Sequence, residues 1–201
     1  MSTFPIKVHQ CISGFTQSER RCHGVLKLSE KLHELGFNNR ISRVSLRPWN
    51  DDWATVAENI WLLGQHHDAE VVVNIYAYSW GGGWGAVQLA QELQKRGITV
   101  WCVVASDAVY RHPLLLMRWI SLLGRNFPFS PRIKIPSNVT HVVPFHQTLN
   151  RPQGHRIVAG KGFSGVINPS VEVSATHQYM DDADEFHTAA IKAAERLKEI
   201  A

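Results

Sequence analysis

Ser79 stands where a serine hydroxyl could act as a nucleophile. It lies in Ala77-Tyr78-Ser79-Trp80-Gly81, between the apolar run Val71-Val72-Val73-Asn74-Ile75-Tyr76 and a helix-like stretch from Ala86 to Leu93. So sharp a strand-to-helix turn forces the serine backbone into a strained conformation and tips the hydroxyl out of the fold. Small residues are needed two positions before and after it, because strand and helix nearly touch there. Ala77 and Gly81 meet that need. The helix that follows aims unpaired N–H groups at the same spot, which suits a transient oxyanion. A serine hydroxyl is a poor nucleophile at neutral pH, so this chemistry also needs a base in hydrogen-bond reach and a carboxylate to orient it. The plainer role for Ser79 is to cap the helix of a Ser/Gly-rich connection.

The neighbouring glycines admit a competing chemistry. Gly81-Gly82-Gly83-Trp84-Gly85-Ala86 fits Gly-x-Gly-x-x-Ala, the phosphate-cradling turn of a dinucleotide-binding unit, and Asp107 ends the next apolar run where a ribose-binding acid would lie. Trp84 is bulky for such a turn, and at least two strand-like runs precede it, whereas that turn usually follows the first strand of its domain. No Gly-x-x-x-x-Gly-Lys-Ser/Thr sequence points to a nucleoside triphosphate.

Elements that would position these residues follow from periodicity. Ile6 to Ile12 reads as a strand, and Ser18 to Leu35, ended by Gly36, as a helix with Val25, Leu28, Leu32 and Leu35 on one face. Ile41 to Leu46 is the second strand. Pro48 then breaks the pattern, and Asn50 or Asp51 caps a helix carrying Trp53, Val56, Ile60 and Leu63. Beyond the Ser79 turn and its helix, Gly97 precedes a strand from Ile98 to Ala105. Val139 to Phe145 and Val171 to Ser174 are further strands, and Asp184 to Ile200 a closing helix. This alternation predicts an α/β fold, a mostly parallel, doubly wound sheet with helices on both faces. Ligand sites of such sheets lie at the C-terminal strand edges, where Ser79, Asp107 and His177 all fall.

A chain of 201 residues with 44% hydrophobic content suits one domain, 1–201, with a single sizeable core. The net charge of +4 is modest and the basic residues read as dispersed; no zinc-finger spacing, RNA-recognition signature or basic helix suggests nucleic acid. Cys11, Cys22 and Cys102 are an odd set, read as reduced thiols of a cytoplasmic protein. The first residues lack the basic and apolar pattern of a signal peptide, and no run approaches membrane-spanning length.

The Ser79 segment resembles the nucleophile elbow of the α/β-hydrolase superfamily, with Ala77 in place of the usual first glycine. The resemblance covers most of the chain as element order. It implies the chain order serine, acid, histidine, with the histidine after the last strand and before the final helix. His177 occupies that place. The acid usually follows the penultimate strand, but Val142 to Asn150 contains no carboxylate. Some members carry it after the strand that follows the elbow helix, and Asp107 matches that arrangement. Rivals are Glu172, roughly 16 Å back along an extended run from His177, and Asp181 among Asp181, Asp182, Asp184 and Glu185. That group has the alternative role of capping the closing helix. The resemblance also implies an oxyanion hole from the N–H of Trp80 and of a residue in Ser13-Gly14-Phe15-Thr16, best Phe15.

A segment within 111–132, centred on the apolar stretch from Pro113 to Gly124, occupies the position of a substrate cap, or else packs in the core or at a dimer contact. As a cap it favours an acyl chain or other apolar group, with Arg111, Arg118, Arg125 and Arg132 available to an acidic portion or a membrane surface. The implied activity is that of a small serine hydrolase cleaving a carboxylic ester or thioester, with a shallow open site, no cofactor, no metal, no nucleic-acid partner and no stable membrane insertion. The alternatives are a dinucleotide-binding module using Gly81 to Gly85 and a catalytically silent scaffold that binds a protein partner. Oligomeric state is not legible.

Overall fold

The computed structural model describes residues 4–15, 17 and 22–199. Its centre is three apolar strands, β1 (Ile6–Ile12), β3 (Val71–Tyr78) and β4 (Thr99–Ser106). They are flanked by β2 (Ser42–Arg47), β6 (Val139–His146) and β8 (Val166–Ile167) in the order β2-β1-β3-β4-β6-β8, and β9 (Val171–Glu172) pairs with the far end of β6. Every ladder of this sheet is parallel. A separate parallel pair joins β5 (Arg132–Ile135) to β7 (Arg156–Ala159).

Helices α2 (Trp53–His67) and α3 (Ala86–Gln94) cover one face, and α1 (Gly24–Glu34) and α4 (Asp184–Lys198) the other. The two-residue period of a strand explains why the runs are apolar throughout. Val73, Ile75 and Ala77 pack with Leu89 and Leu93 of α3, while Tyr76 and Tyr78 pack with Leu28 of α1 and Phe186 of α4. The ladder register slips between Val73 and Asn74. The amide nitrogen of buried Asn74 donates to Ala193 O (2.9 Å) and to the Tyr76 hydroxyl (3.1 Å), while its Oδ1 is buried without a hydrogen-bond partner.

The sheet winds one way from β1 to β2 and the other way from β3 through β4 to β6, so the strand order reverses between β1 and β3. At that reversal connections leave in opposite directions and open a crevice beyond the strand ends. The loop after β1 and the turn after β3 meet there.

Several element boundaries differ from the periodicity. Helix α1 starts at Gly24, with His23 accepting the Leu26 N–H as its cap; Ser18 to Arg21 lie outside the described residues. Asp52, not Asn50 or Asp51, caps α2 through the Thr55 N–H, while Asp51 pairs with Arg47. The last strand is only Val171–Glu172, and Ile200 lies outside the described residues.

Candidate active site

At the end of β3 the chain enters a π-helical turn, Gly81–Gly85, that runs directly into α3. Ser79 has φ of +54°, in the left-handed region that costs a non-glycine residue about 1–2 kcal/mol. Neighbouring backbone imposes it. The Ser79 carbonyl accepts from the N–H groups of Gly82, Gly83 and Val109, and its N–H donates to Ser106 O. The glycines answer to close packing: a Cβ at Gly81 would lie 2.6 Å from the Ile12 and Ser13 carbonyl oxygens, and one at Gly83 1.9 Å from that of Val109. Carbonyl oxygens at that distance leave no berth for a phosphate on those faces.

Ser79, Asp107 and His177 come together at the C-terminal strand edge. Ser79 Oγ lies 3.0 Å from His177 Nε2, and His177 Nδ1 lies 2.6 Å from Asp107 Oδ2. All three residues are buried. Because an ionised carboxylate only accepts, His177 Nδ1–H donates to Asp107 and Nε2 is left to accept the serine proton. A hydroxyl joined to a base, and the base to an orienting acid, is the constellation required for acyl transfer.

The loop after β6 locks this relay, through residues the sequence does not single out. Asp107 Oδ1 accepts from Gly154 N (2.6 Å) and Gln147 N (3.3 Å), and Oδ2 accepts from Gln147 Nε2 (3.1 Å). Asn150 Oδ1 accepts the His177 N–H at 2.7 Å, and the Tyr78 hydroxyl donates to His177 O at 2.7 Å. A Cβ on Gly154 would stand 2.4 Å from Asp107 Oδ1. The one available signal was Gln147 itself: the strand end with no carboxylate holds an amide that donates to the carboxylate one strand away.

The rival acids have other partners. Asp181, also buried, accepts from Gly24 N (2.7 Å), Val25 N (3.4 Å) and Gln17 Nε2 (2.7 Å), so it caps α1 and not the closing helix. Helix α4 has Ala183 at its cap, with Asp184 and Glu185 in its first turn. Asp182 pairs with Lys27, and Glu172 accepts from the Thr148 hydroxyl.

A cavity of about 440 Å³ opens over Ser79 and His177, lined also by Phe15, Trp80, Trp119 and Leu122. Phe15 packs against Trp80 with ring centres 4.5 Å apart and planes tilted by 43°, and the Arg111 guanidinium lies 4.9 Å from the Trp49 ring and 5.0 Å from that of Trp84. A Cβ on Gly14 would lie 2.9 Å from that of Ser79, so the loop carrying Phe15 runs against the turn. The Gly14 N–H donates to Gln17 Oε1, and Thr16 lies outside the described residues. Residues 119–122 of the short 3-10 helix Leu115–Leu122 border the mouth, where Trp119 and Leu122 are exposed.

Among the described residues no helix is long and apolar enough to cross a membrane, and no group of three or more His, Cys, Asp or Glu is arranged to hold a metal ion. Compared with protein-family models and with curated proteins, the chain matches none.

Proposed function

We propose that the chain is a serine hydrolase of α/β-hydrolase type that cleaves a carboxylic ester or thioester through an acyl-enzyme. The observation that carries this reading is the relay from strained Ser79 through His177 to Asp107. Ser79 Oγ attacks the carbonyl carbon as its proton passes to His177 Nε2; the imidazolium, held by Asp107, then protonates the leaving alcohol or thiol. Water, deprotonated by His177, then attacks the acyl carbonyl, and the tetrahedral intermediate collapses with cleavage of the acyl–Oγ bond, releasing the carboxylic acid as His177 returns the proton to Ser79 Oγ. The N–H groups of Phe15 and Trp80 hold the tetrahedral oxyanion. The aromatic and aliphatic lining of the cavity favours an apolar acyl group. Cys11, Cys22 and Cys102 are free, which fits a reducing, cytoplasmic setting, and burial pushes the Cys11 and Cys102 thiols up to about 12.

The experiment is hydrolysis of p-nitrophenyl butyrate by wild type and Ser79→Ala. The expected loss is on the order of 10³-fold or more in kcat; undiminished turnover by folded Ser79→Ala removes the mechanism. The dinucleotide reading lacks comparable support, since Gly81 and Gly83 are accounted for by backbone contact.

A further inference from the structure

The even overall composition conceals a local bias. Between Asp107 and Glu172 the chain has eight arginine and lysine residues and no aspartate or glutamate. The basic residues are therefore less dispersed than they read at first, and the fold gathers three of them. The β5–β7 register sets Arg132 directly beside Arg156, an arrangement of like charges that destabilises a ladder. Arg125 joins them around a cleft of about 140 Å³ that Asn126 and Ser130 also line and no carboxylate does.

Among the described residues no carboxylate lines the cleft or pairs with these arginines, and Asp107 and Glu172 act on Arg125 only through a lesser electrostatic pull. Among the same residues the Arg125 and Arg132 side chains make no hydrogen bond or ion pair, and the Arg156 side chain has only the Asn126 Oδ1 contact at 3.4 Å. The Ser130 hydroxyl oxygen is buried without a hydrogen-bond partner. Arg125 is half-buried, and burial, followed by the charge of Arg156, holds it below its ordinary pKa. Guanidinium forks beside a hydroxyl match a tetrahedral oxyanion, which accepts from several donors at once.

We propose that this cleft, formed by Arg125, Arg132, Arg156 and Ser130, is a binding site for a phosphate group, either free or borne by a larger molecule. A dianion there neutralises the Arg132–Arg156 repulsion and satisfies the Ser130 hydroxyl. The site stands apart from the hydrolase reading, although Leu122 of the Ser79 cavity is three residues from Arg125, a reach of at most about 11 Å.

The test is calorimetric titration of the full chain with inorganic phosphate at low ionic strength, beside co-sedimentation with phosphatidylcholine vesicles with and without phosphatidic acid. Saturable phosphate binding that falls at least about tenfold in Arg132→Ala/Arg156→Ala, worth about 1.4 kcal/mol, supports the site with a soluble ligand. Binding only to vesicles containing phosphatidic acid, lost in the same variant, supports it with a lipid headgroup as the source. Both arginines are exposed, and circular dichroism checks the fold. Arg156→Gln, which retains a donor toward Asn126, is the second variant and weakens binding at least about threefold, or about 0.7 kcal/mol. Absence of binding to phosphate and vesicles alike, or equal binding by wild type and the folded variants, overturns the proposal.

Discussion

Asp107 and Asp181 are both buried carboxylates that accept hydrogen bonds from distant backbone, yet they serve different ends. Asp107 sits past β4 at φ of +41°, held by Gln147 and Gly154, and points one oxygen at the His177 ring. Asp181 lies four residues beyond His177 in chain order and points at the buried first-turn N–H groups of α1. One faces an imidazole, which it would orient in the proposed mechanism; the other caps the start of a helix, where negative charge meets the positive end of the helix dipole. Burial and chain proximity to the histidine do not separate the two roles. The atom each oxygen faces does.

Exchanging each carboxylate for an amide should break the comparison cleanly. Asp107→Asn is expected to lower kcat for ester hydrolysis about 10⁴-fold, because the amide can turn its NH₂ to Nδ1 and favour the wrong imidazole tautomer. Asp181→Asn should leave kcat within a few-fold. Comparable losses of rate in both variants would collapse the distinction.

Acid should loosen the Asp107 side through His155. Its Nδ1 accepts from the Tyr110 N–H and its own N–H donates to Ala108 O, beside the Asp107 turn. Burial depresses His155 to about 4, against a partial opposing pull from Asp107. The unfolded chain therefore takes up a proton near pH 6.5 that the folded chain refuses. Stability is complete above about pH 6.5 and falls as the pH drops toward 4, by up to about 3 kcal/mol for this group. His155→Asn should flatten urea-unfolding stability across that window; an unchanged slope contradicts the assignment. His9, lowered to about 4 by burial and then by Lys7, adds a fall of the same sign on the α4 side.

Smaller effects sharpen the same contrast. Asp181→Asn should reduce thermal stability by up to about 1 kcal/mol, because the neutral amide loses the charge that meets the α1 dipole and strengthens its hydrogen bonds. Ser79→Gly should raise it by about 1 kcal/mol while removing activity, since glycine adopts the left-handed turn without strain. A destabilised Ser79→Gly would mean that the turn holds no strain.

Much of the architecture was legible because it depends on short-range periodicity: the apolar runs of β1, β3 and β4, and the helical spacing of Leu28 and Leu32 or Leu89 and Leu93. Strand ends follow from those runs, so the gathering of Ser79, Asp107 and His177 at one rim was legible too. What escaped depends on contacts without a period. Asp181 caps a helix whose first residue is 157 positions away, and its neighbours in sequence suggest only local capping of α4. Asn150 and Gly154 lie in an irregular loop, where nothing local marks them as supports of His177 and Asp107, and Gln147 offers only the hint of an amide at a strand end that lacks a carboxylate. The arginine cleft was hidden for a similar reason, since the β5–β7 register brings together residues 24 positions apart.

The central claim is that the Asp107–His177 pair activates Ser79. Its most direct test is reaction of the folded chain with a fluorophosphonate, followed by peptide mass spectrometry. The account predicts one adduct per chain, on Ser79, formed far more slowly in Asp107→Asn. No adduct, or one on another residue while Ser79 stays unmodified, would contradict it.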